Sequence, residues 1–161
     1  MVVRLPGWGS WMNPFRPKAP PPIEDVELGT LRFSHGRWQT EPAPDGTVLL
    51  VRAGRRGPDA GLRAAAVHAR RELAVLAGRA REYLTNTADP ARPWAELTLV
   101  AVEVLCPAAG WFEREIALAN SAVRTPGVEA PAFVLSFSIE EDRNVLEVIF
   151  VRDLPMAWDY H

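Results

Sequence analysis

The chain carries a single cysteine, Cys106, and three histidines, His35, His68 and His161, among 161 residues. One thiol excludes an intrachain disulfide framework and points to a reducing compartment. No two histidines stand at a metal-ligand spacing, and HExxH and CxxC are absent, so neither a metal nor a cofactor is expected. Long apolar runs are missing too: no window approaches the roughly 18 residues a membrane span needs. The opening MVVRLPGWGSWMNPFRPKAPPP is broken by Pro6, Gly7, Gly9 and Pro14, which makes it a poor signal peptide. A cytoplasmic protein without membrane contact is the simplest expectation. Walker A, GxGxxG and GxSxG sequences are equally missing. Gly54-Arg55-Arg56-Gly57 lacks the spacing and the following Lys-Ser/Thr of a phosphate loop, and reads as an exposed loop. Cys106 has neither a base nor an electropositive setting nearby in sequence, and reads as a small buried residue.

What is present is enough chain for one domain with a substantial core. Residues 1–22 form a proline-rich arm, in which Pro6, Pro14, Pro17 and Pro20-Pro21-Pro22 favour extended backbone. Trp8, Trp11 and Phe15 are unusual in such an arm and suit either docking on the domain or contact with a partner. Residues 23–161 are expected to be a single α+β domain.

Within it, GTLRFSHGRWQTE (29–41) alternates as two strands around His35-Gly36, a pair suited to a type I′ turn. Pro44-Asp45-Gly46 is a second turn, and GTVLLVR a third strand. Residues 59 to about 86 read as one long helix capped by Asp59. Its stripe is Leu62, Ala66, Ala69, Leu73, Leu76, Ala80 and Leu84. ELTLVAVEVL (96–105) is apolar on both parities, as a central strand would be. AFVLSFSIE (132–140) and VLEVIFVRD (145–153) form a last hairpin, while 110–123 suits either strand or helix. The expected order is β-β-β-α-β-(β/α)-β-β: a mainly antiparallel sheet with one long helix across a face.

Charge is unevenly spread. Residues 52–93 carry nine basic against four acidic side chains, and residues 94–161 four against eleven. Arginines 52, 55, 56, 63, 70, 71, 79 and 81 form no nucleic-acid motif, and the net charge is −2. Nucleic acid is therefore not the expected partner. The acidic candidates are Glu113, Glu115, the loop trio Glu140, Glu141 and Asp142, then Glu147, Asp153 and Asp159. Nothing in their spacing converges on an acid/base pair across a cleft. They suit a patch that meets a basic partner.

EDVELGTLRFSHGRWQTE, then a third strand and one long helix, then FVLSFSIEEDRNVLEVIFVRD, resembles a group of small bacterial domains. Their pattern is an acidic-Leu-Gly-x-Leu-x-Phe opening, a tryptophan on the return strand, and a final hairpin ending near an aspartate. Such domains are similar to immunity proteins, which bind secreted or polymorphic toxins stoichiometrically; others of the group have no assigned role. The resemblance covers roughly 24–52 and 132–159; residues 106–131 depart from it, and the aromatic arm is no part of it. It brings no catalytic residue and implies a non-catalytic, protein-binding module. Contacts would come from Glu140, Glu141, Asp142, Glu113, Glu115, Trp8 and Trp11. The alternatives are a small-molecule binder or enzyme with a pocket between helix and sheet near Trp38, Trp94 or Trp111, and a subunit that self-associates through the arm.

Overall fold

The structure, a computed structural model, describes residues 18–88, 92–105, 132–139 and 145–160. Its strands are β1 (Ile23–Asp25), β2 (Gly29–Ser34), β3 (Arg37–Thr40), β4 (Val48–Val51), β5 (Thr98–Leu105), β6 (Ala132–Ser138), β7 (Val145–Val151) and β8 (Leu154–Tyr160). Helices α1 (Ala60–Arg71) and α2 (Leu73–Thr87) and a short 3-10 turn, Trp94–Glu96, lie between β4 and β5. The eight strands form one sheet in sequence order. Every neighbouring pair is antiparallel except β4–β5, which is parallel and joined by the helical crossover. The fold is α+β, with the helices packed on one face.

Local chemistry sets the first turns. His35 and Gly36 both adopt positive φ, 50° and 81°, as a type I′ hairpin requires. At the next turn Gly46 N–H donates to Ala43 O at 2.8 Å, and Pro44 presets the entry. Gly57 has φ of 101°, and a Cβ there would stand 2.6 Å from Ile23 Cδ1. The left-handed backbone favours glycine there, and any added Cβ would also have to displace the Ile23 methyl.

Asp59 caps α1 as expected, its carboxylate accepting from Leu62 N–H at 2.8 Å. The single long helix is corrected to two. The helix breaks at Glu72, where φ and ψ are −95° and 9°, with no proline or glycine at the break. α1 packs on β4 and β5, whereas α2 packs on β8 and the 3-10 turn. A straight rod of that length cannot follow a twisted sheet from its centre to its edge, and the break redirects it. The stripe itself holds: Leu62, Ala66, Ala69, Leu76, Ala80 and Leu84 are buried, and Leu73 packs against them. They meet Leu31, Trp38, Val51, Phe133, Phe137 and Phe150 in the main core. Alanine at three of the stripe positions permits close approach of helix to sheet.

The sheet differs from expectation at both margins. Short β1 adds a strand before GTLRFS, and β8 continues past Asp153, where the last strand was expected to end. In β5 the register shifts between Leu99 and Ala101, so Leu99, Val102 and Val104 all face the helices. On the opposite face Leu105, Ala132, Val134 and Ile149 form a second buried cluster. Residues 110–123, strand or helix on sequence grounds, lie outside the described residues.

Candidate interaction surface

The acidic and aromatic candidates Glu140, Glu141, Asp142, Glu113, Glu115, Trp8 and Trp11, with Trp111 and Cys106, lie outside the described residues. What flanks the acidic trio is described. Ser138 and Val145 pair across β6 and β7, at the end of the sheet where Tyr160 stands opposite Leu146. That end therefore combines the strand termini on either side of the trio with an exposed aromatic.

β8 is the edge strand and carries three exposed apolar residues: Leu154 at 64%, Trp158 at 40% and Tyr160 at 38%. Trp158 pairs opposite Val148 and Tyr160 opposite Leu146, which puts both on the helix-packed face. Leu154, opposite Val151, projects from the other face. α2 covers part of this edge. Arg79 Nη1 donates to Asp153 O at 2.8 Å, and Tyr83 Oη donates to Met156 O at 3.0 Å. Those bonds satisfy backbone carbonyls at the start of the strand, one way of protecting an edge. This aromatic pair was missed in the sequence reading, although Trp158 and Tyr160 alternate visibly with Ala157 and Asp159.

The second missed feature is Glu103, 8% exposed on the face away from the helices. Arg37 Nη1 reaches its carboxylate at 3.3 Å and Arg52 Nε at 3.0 Å. Its neighbours across the ladders are Leu50 and Val134. Two guanidinium groups make burial of this charge tolerable by hydrogen-bonding both oxygens.

The remaining candidates have structural partners. Trp38 is 1% exposed, donates its indole N–H to Gly54 O at 2.9 Å and meets Phe33 edge-on at 5.3 Å. It is a core anchor that pins the loop before α1. Trp94 is buried in the 3-10 turn, with the Arg92 guanidinium 5.8 Å from its ring. His35 occupies its turn, and His68 Nε2 lies 2.8 Å from Asp153 Oδ1, joining α1 to the β7–β8 turn. The helix arginines act as struts. Arg63 grips Asp25 and Glu27, Arg71 bonds Glu27, Arg70 donates to Glu27 O and Leu28 O, and Arg81 to Leu97 O. The Arg63 guanidinium, with two backbone N–H groups, holds the Asp25 carboxyl down at about 2.

Among the described residues no group of three or more His, Cys, Asp or Glu could hold a metal ion. No described helix is long and apolar enough to cross a membrane. No protein-family model, curated protein or solved structure matches the chain.

Proposed function

We propose that the chain is a non-catalytic, cytoplasmic protein-binding module, acting as an immunity protein that neutralises a cognate bacterial toxin by stoichiometric binding. The observation that carries this reading is the exposed row on β8. An edge strand bearing Trp158 and Tyr160 offers large, rigid side chains of the kind that anchor protein interfaces. Its neighbourhood supports the same reading, because Tyr160 shares its sheet end with the strand termini flanking Glu140, Glu141 and Asp142. An acidic segment beside aromatic anchors suits a basic toxin domain, where complementary charge speeds encounter and the aromatics hold the complex. A stable interface of this kind buries about 1,600 Å².

The test is co-expression with the product of the adjacent gene, followed by pull-down and a growth-rescue assay. Capture at one-to-one stoichiometry and rescue of growth are expected. Trp158→Ala is expected to weaken capture by ~30-fold, the scale of a ~2 kcal/mol hot spot. Absence of both capture and rescue would remove this reading.

A further inference from the structure

We propose that the cleft between α2 and the start of β5 binds a small amphipathic carboxylate. Its head would be received by Arg70 and Arg81, and its aliphatic body by the cleft floor. The cavity measures about 590 Å³, within the range of small-molecule sites. Leu73 and Ala77 from α2, with Leu97 and Leu99 from the strand side, supply its apolar surface. The helices contribute Arg70, Arg71 and Arg81 to the same walls.

The partners of these arginines decide the ligand's sign. Arg71 is matched by the Glu27 carboxylate, but Arg70 and Arg81 are held by backbone carbonyls, of Glu27 and Leu28 and of Leu97. A carbonyl orients a guanidinium without cancelling its charge. Arg81 is fixed a second time by the Phe137 ring, 5.5 Å from its guanidinium carbon, and its buried Nε has no acceptor. An anion in the cleft would stabilise that whole guanidinium electrostatically. Two carboxylates share the lining, Asp45 and Glu96. The Asp45 oxygen Oδ1 accepts from Thr47 N–H at 2.9 Å, a bond within its own turn that keeps the carboxyl below its ordinary range. With Arg71 matched by Glu27, the two guanidinium groups held by carbonyls alone, Arg70 and Arg81, stand beside an aliphatic floor whose lining Asp45 and Glu96 complete. A carboxylate on a hydrocarbon chain complements both parts.

The experiment is an NMR titration of the full-length chain with butyrate, hexanoate and octanoate, and with hexylamine as the opposite charge. Hexanoate is expected to shift the amides of Ala74, Ala77, Leu97 and Leu99. Affinity should rise about two- to fourfold per added methylene, as burial of the chain requires. Hexylamine should leave those amides in place. Arg81→Met retains an aliphatic stem over Phe137 and is expected to weaken hexanoate about tenfold or more; Arg70→Gln, at an exposed position, provides the same test if the first variant folds poorly. An equal response to hexylamine, no response to hexanoate, or unchanged affinity in the folded variants would overturn the proposal. Toxin capture and rescue read a different surface, so either proposal can fail alone.

Discussion

Replacing Asp25 by asparagine isolates the anchor that ties the edge hairpin to the helices. Asp25 closes the β1–β2 turn by accepting from Glu27 N–H at 2.9 Å and Leu28 N–H at 3.0 Å. It also receives Arg63 Nε at 2.5 Å and Nη2 at 3.0 Å. The Arg63 hydrogen bond is the largest cause of its lowered pKa, from 3.8 to about 2. That difference corresponds to roughly 2 kcal/mol at 1.36 kcal/mol per unit. Because Arg63 is 40% exposed, screening reduces the realised contribution to about 1–2 kcal/mol. The folded-state value lies below the unfolded one, so folding favours the ionised carboxylate. Its stabilisation is complete above about pH 5 and disappears as pH falls through about 2. Urea unfolding of wild type and Asp25→Asn between pH 7 and 2, followed by far-UV circular dichroism, measures it. The variant is expected to be less stable by about 1–2 kcal/mol at pH 7, with the difference closing toward pH 2. A difference that stayed constant with pH, or one absent at pH 7, would refute the role assigned to this ion pair.

Glu103→Gln leaves Arg37 and Arg52 without their shared charge on the second face of the sheet. Because both arginines can reach solvent, a loss of about 1–3 kcal/mol in chemical denaturation is expected, below the range for fully buried pairs. Trp38→Phe deletes the bond to Gly54 O and leaves a void in the main core. It is expected to cost about 2 kcal/mol, and hydrogen exchange in the 54–57 loop should rise as that loop loses its pin.

Much of the fold was legible because its signals are local. The His35-Gly36 and Pro44-Asp45-Gly46 turns, the Asp59 cap and the alternation of Phe133, Leu135 and Phe137 each depend on a few adjacent residues. The break at Glu72 has no such signal. Its flanking sequence keeps the 3.6-residue stripe, and the helix divides because α1 and α2 serve different parts of the sheet. β8 lies beyond the last strand expected at 145–153, and Trp158 and Tyr160 left a readable alternation there. Glu103 was hidden inside an apolar run. Its burial becomes tolerable only when β3 and β4 bring Arg37 and Arg52 beside it, 66 and 51 residues away in sequence.

The cleft shows the same division. Helical spacing places Arg63, Arg70 and Arg81 beside the apolar stripe, but it does not say which groups they meet. Arg63 meets carboxylates, while Arg70 and Arg81 meet backbone carbonyls and keep their charge. The sequence by itself determined the α+β class, the hairpin turns and the buried face of the helices, because periodicity and turn chemistry act over a few residues. Only the tertiary structure decided which arginines are neutralised, which carboxylate is buried and which aromatics stand exposed at the edge. Those outcomes depend on the register of distant strands and on where the helix breaks, and neither is encoded in any one stretch of chain.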